Sequence, residues 1–345
     1  MLATSPAIPS NQSPEVTSTG LHALLSSAAF APLPDIAWIK ITGEDRIRWL
    51  NGMVTNSIQT LATGQGCYNF FLNAQGRIQG DATAFALEDF ILLQTQRDRI
   101  PALIALLDHF IIMDDVELTN LSPDQGPSTG LILAGPEASS LLAAIDLTTS
   151  VPDPLELAHI TWHSNAVDLI HAHSPLVPKF ELWANPTTLA LIADQLRIAG
   201  ASAASPQDLE HLRILEGTPL YGTDIRDRDL PQETAQTRAL HFAKGCYLGQ
   251  EIVERIRSRG NVHRTFSGFT LAGEVPTAGT PIFIAETPDK PIGEITSASR
   301  IDLSNGPITL ALGYIRREAL ERNAGLIYPG GTATATPLPY PVFNP

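Results

Sequence analysis

Apolar positions recur along this chain with two periods, and the switch between them divides it into elements. Ile36, Trp38, Lys40 and Ile41 have strand character. Thr42-Gly43-Glu44-Asp45 then supplies capping-box spacing for a short helix whose apolar face is Ile47, Leu50 and Val54, with Asn51-Gly52 as the predicted stop. A hairpin is predicted next: residues 68–72 run in, Asn73-Ala74-Gln75-Gly76 turns, and residues 77–87 return with Thr83, Phe85 and Leu87 alternating. Pro101 opens a helix carrying Leu103, Ile104, Leu107 and Phe110 at 3.6-residue spacing, and residues 111–118 read as a strand.

Residues 122–130 are rich in Pro, Asp and Gly and mark a boundary. A second unit follows, with strands at 131–133, 160–162, 167–170 and 180–183 and helices at 136–145 and 187–198. Ser205-Pro206-Gln207-Asp208 is a capping box with proline at the first helical position, so Leu209, Leu212 and Leu215 line a helix that Gly217 stops. Residues 250–259 fit a helix, with Glu251 and Arg255 as an i,i+4 pair, and equally an alternating strand. Residues 266–271, 281–285, 292–298, 310–315 and 332–336 are short strands between Gly/Pro turns, the pattern of a small barrel or sandwich.

Composition limits what these elements do together. A chain of 345 residues, 43% hydrophobic, has enough apolar material for two or three domains with real cores. Its 22 basic and 36 acidic side chains leave a net charge of −14, which argues against a general binder of nucleic acid or anionic membrane. No stretch approaches the roughly 20 apolar residues of a membrane span. Residues 1–29 contain no Lys or Arg, unlike a secretory or mitochondrial leader, so residues 1–32 are read as a flexible tail and the protein as cytoplasmic. One segment departs from the acidic balance. Residues 244–264 hold Lys244, Arg255, Arg257, Arg259 and Arg264 against Glu251 and Glu254, a place for an anionic ligand or acidic partner, or a solvated charged face.

Two cysteines, Cys67 and Cys246, are far apart and show no zinc spacing. A self-contained iron–sulfur site takes four cysteines, so this chain holds no cluster alone. Cys67, beside Tyr68, Phe70 and Phe71, reads as core. Cys246 lies in Lys244-Gly245-Cys246-Tyr247-Leu248-Gly249-Gln250-Glu251, between glycines that permit a shaped loop and near a cation that favours a thiolate. A small buried cysteine in a tight turn is the competing reading. His159, His163, His171 and His173 invite a metal site, but they read as structural or solvated.

The Lys244 to Glu251 stretch resembles the K-G-C-Y-x-G-Q-E signature of YgfZ-type folate-binding proteins, relatives of the glycine-cleavage aminomethyltransferase that serve in iron–sulfur cluster assembly. Arg213-Ile214-Leu215-Glu216-Gly217-Thr218-Pro219-Leu220-Tyr221-Gly222-Thr223-Asp224 is similar to that family's R-x-x-E-G-x-P-x-Y-G-x-D segment, and Thr296-Ser297-Ala298 to its late T-S-A. With the hairpin around Gly76, the resemblance covers roughly residues 33–338.

The resemblance implies an α+β fold of three units in a ring: a folate-binding domain of residues 33–125 and 202–262, a ferredoxin-like insert at 126–201, and a C-terminal β-barrel at 263–340. It implies tetrahydrofolate or a derivative as ligand. Asp81 is placed near the reactive end of the folate, although relatives carry two adjacent acids and the first is here Gly80. Glu216 or Glu233 is expected on the pterin, and Tyr221, Tyr247 and Gln250 are the other expected folate-binding residues. Cys246 and Lys244 are the expected reactive pair, with Cys246 as a transient cluster ligand and no resident metal. The expected function is a folate-binding accessory protein for assembly or repair of iron–sulfur clusters in client enzymes, including radical enzymes that modify tRNA. Its partners would be folate and assembly proteins or clients, with no direct nucleic acid and no membrane. A tetrahydrofolate-dependent aminomethyltransferase or a demethylase-type module is the alternative, although no G-x-G-x-x-G flavin fingerprint is present.

Overall fold

Three sheets organise the computed structural model, which describes residues 19–121, 129–148, 150–260 and 262–343. The first is five-stranded, in the order Gly66–Leu72, Ile78–Ala86, Ile91–Gln96, Ile36–Thr42, Glu117–Asn120. Alternation gives its strands two different faces. Cys67, Phe71, Ala82 and Ala84 pack with Leu50, Leu103 and Leu107 from the helices Arg46–Met53 and Ile100–Asp108. Tyr68, Phe70 and Leu72 join Tyr221, Ile225, Tyr247 and Val253 in a separate cluster.

The second sheet is six-stranded, in the order Ser202–Ala203, Ala29–Leu33, Thr129–Ala134, Lys179–Ala184, Asn165–His171, Leu157–Trp162. Helices Ala138–Ala144 and Pro186–Ile198 bury Leu141, Leu142, Leu189, Ile192 and Leu196 in the same core as its Leu133, Leu169, Phe180 and Leu182. Trp38 of the first sheet meets Trp183 of the second edge-on, with ring centroids 5.0 Å apart. The third sheet is a closed barrel, in the order Arg264–Gly273, Gly306–Arg316, Gly293–Leu303, Thr280–Ile284, Leu326–Tyr328, Gly331–Thr336. Helix Pro206–Glu216 buries Ile214 and Leu215 against barrel residues Phe266, Leu310, Leu312 and Tyr314. Its start carries the reciprocal Ser205–Asp208 capping box, and Gly217 ends it in the left-handed region.

Several expectations need correction. Residues 19–33 are not tail: helix Thr19–Ser26 buries Leu21 and Leu24, and strand Ala29–Leu33 pairs with Thr129–Ala134. The stretch is nearly uncharged because it is inside, while residues 1–18 lie outside the described residues. Gly52 does not stop its helix, which runs to Met53. The strand expected at 111–118 is confined to Glu117–Asn120, and Ile112 and Met113 are 84% and 94% exposed on the loop before it. Strands Ile91–Gln96 and Leu326–Tyr328 were not anticipated, and Gln250–Arg259 resolves as a helix. The boundary loop at 122–128 lies outside the described residues.

Candidate functional site: a shared cavity and an exposed thiol

The period of two in Ile78–Ala86 decides what faces the centre. Gly80 and Ala82 turn toward the core with Phe71 and Asp81 turns the other way, while a bulge after Ile78 puts that residue with Phe70 and Leu72. A Cβ at Gly80 would meet Leu103 and Phe71 at 3.5 and 3.8 Å, so an acid at position 80 would lie against apolar core. Its replacement by glycine therefore takes no carboxylate from the centre, contrary to the pairing implied by the resemblance. Asp81 instead lines a compartment of about 210 Å³ with Tyr68, Gln94, Gln96, Lys179, Glu181, Tyr221 and Arg238 among its neighbours. A second compartment of about 700 Å³ runs from Glu216 to the barrel residues Phe266, Ser267 and Gly268. His173, Thr218 and Arg238 border both, and all three sheets contribute walls.

Burial sets the electrostatics of this cavity. The Tyr68 hydroxyl donates to Asp81 Oδ2 at 2.6 Å, yet desolvation still holds the Asp81 carboxyl above the usual range. Glu181 is raised for the same reason and accepts from Gln94 Nε2 and from Trp183 Nε1 at 3.1 Å. Glu216, with its side chain 2% exposed, accepts from Ser174 Oγ and faces Lys179 Nζ at 3.5 Å. His173 is pushed down to about 4 by burial and stays neutral. The Arg238 guanidinium lies 4.1 Å from the centre of the Tyr68 ring, and its Nε donates to Gln236 Oε1 at 3.2 Å. Among the described residues its two terminal nitrogens meet no acceptor. Burial lowers its pKa, so this cation is well placed to receive an anionic or carbonyl acceptor.

The other expected residues divide. Tyr221 walls the smaller compartment, and its hydroxyl donates to Asp227 Oδ1 at 2.6 Å. Glu233 is elsewhere: it borders a third cavity of about 1070 Å³ and pairs with Arg264 Nη2 at 3.0 Å. Tyr247 is buried among Tyr68, Phe70 and Val253, away from the compartment walls. Lys244 Nζ donates to the carbonyls of Asn51, Val54 and Asn56 at 2.6, 2.6 and 2.5 Å. Burial lowers its pKa to about 8, and the thiol that opposes the shift is Cys67. Cys67 is buried and pushed up to about 11 by desolvation. Cys246 is exposed in the loop before the helix whose first residue is Gln250.

Packing shapes that loop. Gly249 has φ 81°, and a Cβ there would lie 2.6 Å from Asn73 O and 3.2 Å from Gly76 Cα. Gly76 has φ 69°, and its Cβ would meet Ile252 at 2.7 Å. The hairpin turn and the cysteine segment thus cross where neither tolerates a side chain. Gly245, by contrast, has nothing within 4 Å of its Cβ position.

A family model described as the GCVT N-terminal domain matches residues 13–244. The chain belongs to the GCVT N-terminal domain family. The match ends two residues short of Cys246. The tRNA-modifying protein YgfZ of Yersinia pestis (strain Pestoides F) is 27% identical over 272 residues, 77% of each chain. The chloroplastic Arabidopsis thaliana protein At1g60990 is 23% identical over 302 residues, 87% of this chain and 68% of its own. The solved glycine cleavage system aminomethyltransferase T of Bartonella henselae superposes with a TM-score of 0.79 at 18% identity, covering 94% of this chain and 89% of that one. That likeness shows the fold, so the three-unit α+β expectation stands.

Within this GCVT chain, sequence reasoning missed Tyr68, Glu181, Lys179, His173 and Arg238. Tyr68 and Asp81 were both placed on the hairpin, and the register that pairs Phe70 with Asp81 puts them on one face. Arg238 sits in irregular chain, where no period signals direction. The late Thr-Ser-Ala has a structural part: Thr296 and Ser297 hydroxyls donate to Asp224 Oδ1, at 2.5 and 2.8 Å, while Arg213 Nη1 reaches Asp224 Oδ2 at 2.7 Å. The basic segment also changes character. Lys244 and Arg264 are used inside, which leaves exposed Arg255 and Arg257 against Glu251 and Glu254. Of the four histidines, His159 pairs with Asp168 at 2.6 Å and His171 Nδ1 lies 3.0 Å from Pro152 O.

Proposed function

We propose that this chain is a folate-binding accessory protein that supports assembly or repair of iron–sulfur clusters in client enzymes, including tRNA-modifying radical enzymes, with Cys246 as its working group. The observation that carries the reading is the separation of two kinds of chemistry. A cavity between the sheets offers acceptors at Asp81, Glu181 and Glu216 and unpartnered donors on Arg238, while the thiol is outside in a braced loop. A reduced folate suits such a cavity, because its pterin presents amino and ring N–H donors and its tail carries carboxylates. Asp81 and Glu216 would take the pterin donors and Arg238 an acceptor. When bound, tetrahydrofolate supplies a carrier for one-carbon units.

The name of the Yersinia relative as a tRNA-modifying protein supports, for this chain, a link to tRNA modification through a client enzyme. The net charge of −14 speaks against direct tRNA binding. An exposed thiol lets a partner's sulfur or iron approach without entering the folate site. The test is complementation of cells lacking this protein with wild type or Cys246→Ser, followed by assay of cluster-dependent enzymes. Loss of rescue with folate binding intact supports the reading. Full rescue by the serine variant overturns it. The aminomethyltransferase alternative rests on the shared fold and on Asp81 in the cavity, and glycine-cleavage reconstitution tests it directly. Turnover comparable with an authentic T-protein would select it.

A further inference from the structure

We infer that Lys244 is a positioning residue, which clamps the Cys246 loop onto the turn at residues 51–56 and does not activate the thiol through its charge. The inference rests on Cys246 being the working group, but the clamp itself is measurable without that reading. An ammonium has three donors, and here all three converge on carbonyls: Asn51, Val54 and Asn56, at 2.6, 2.6 and 2.5 Å. The Tyr247 ring lies 4.9 Å from the same nitrogen and covers it. Neighbouring bonds run between the same two segments. His241 N donates to Thr55 O at 3.1 Å, Leu248 N to Gly52 O at 3.0 Å, and Thr55 Oγ1 to Ala239 O at 2.7 Å.

The consequence is a loop held on both sides of the thiol. Gly249 is locked against the hairpin turn, Tyr247 is buried, and only Gly245 and Cys246 between the clamps are left open. The clamp also explains the residue type. A tetrahedral ammonium on a flexible stem satisfies three convergent carbonyls, whereas the planar guanidinium fork of arginine does not match them. Asn56 ties the same turn to the cavity, because its Nδ2 donates to Arg238 O at 2.9 Å.

The experiment compares wild type with Lys244→Met and Lys244→Arg in the full chain. Two quantities are read: hydrogen exchange at the His241 and Leu248 amides, and the pH midpoint of Cys246 alkylation by iodoacetamide. We expect exchange at both amides to quicken about tenfold or more in Lys244→Met, the scale of one lost charged hydrogen bond. Lys244→Arg keeps a cation for folding and is expected to show partial quickening. The alkylation midpoint should match wild type in both. A midpoint that rises in Lys244→Met and returns in Lys244→Arg would assign Lys244 to thiol activation and overturn the inference. Wild-type exchange in both variants would also overturn it. Failure of Cys246→Ser to affect client enzymes would remove the functional reading and leave the clamp standing.

Discussion

The Tyr68 hydroxyl donates to Asp81 Oδ2 at 2.6 Å from the neighbouring strand of the same hairpin, inside a compartment walled by the first two sheets. The bond does not offset burial, which holds the Asp81 carboxyl above the ordinary range. The folded protein therefore binds this proton more tightly than the unfolded chain does. By linkage, stability from this group is present at low pH and is lost as pH climbs from about 4 through the raised value. Asp81→Asn should remove that slope and stabilise the unliganded protein at pH 7 by about 1–2 kcal/mol. The same change should weaken tetrahydrofolate binding by about 1 kcal/mol or more. Thermal unfolding across pH and calorimetry with the ligand read the two effects. A variant less stable at pH 7 than wild type would refute the electrostatic assignment.

Glu216 and Glu233, equal candidates in the sequence, now separate. Glu216 faces the cavity with Lys179, whereas Glu233 is held by Arg264 near the barrel. Glu216→Gln should cost about 1.5–3 kcal/mol of folate affinity. Glu233→Gln should leave affinity unchanged and lower stability by about 1–3 kcal/mol, because the partly buried Arg264 loses one partner and keeps Asp229. Calorimetry and denaturant unfolding of both variants make the comparison. Equal losses of affinity would show that the two carboxylates share one site.

Gly249 and Gly245 bracket the cysteine and make opposite predictions. Gly249→Ala combines a positive φ of 81° with a Cβ 2.6 Å from Asn73 O, so it should destabilise by about 2 kcal/mol or more. Gly245→Ala meets nothing within 4 Å and should stay within about 0.5 kcal/mol of wild type. If a partner closes on the thiol across Gly245, the added methyl should lower rescue of cluster enzymes while the fold is unchanged. Urea melts with the same complementation assay read both.

What was legible in the sequence follows from local periodicity. The Ser205–Asp208 cap, the Gly217 stop and the hairpin were readable because capping atoms and alternation act within a few residues. Helix Thr19–Ser26 was not, since its burial comes from distant partners such as Leu212 and Val177. The contacts of Lys244 were hidden for a similar reason. Two residues from a thiol in sequence, it points to carbonyls almost two hundred positions earlier in the chain. The cavity walls were half visible: Asp81, Glu216 and Tyr221 lie in recognisable motifs, but Arg238 and Glu181 become neighbours only when the sheets assemble.

The two cysteines provide the sharpest internal comparison. Cys67 is buried in the first core, where desolvation pushes its thiol up to about 11 and Asn69 Nδ2 lies 3.3 Å from its sulfur. Cys246 is exposed, beside a glycine with open space. Iodoacetamide at pH 8 should therefore label Cys246 and leave Cys67 unmodified until the chain unfolds, because reaction needs both access and thiolate. Cys246→Ser should leave unfolding and tetrahydrofolate affinity within error of wild type, since serine keeps the size at a site without core contacts. It should abolish the cellular function, since the oxygen is neither a soft metal ligand nor able to exchange with a disulfide. Peptide mass spectrometry gives the labelling order, and complementation gives the function. Equal labelling of the two cysteines would contradict the packing, and serine rescue would return Cys246 to a structural part.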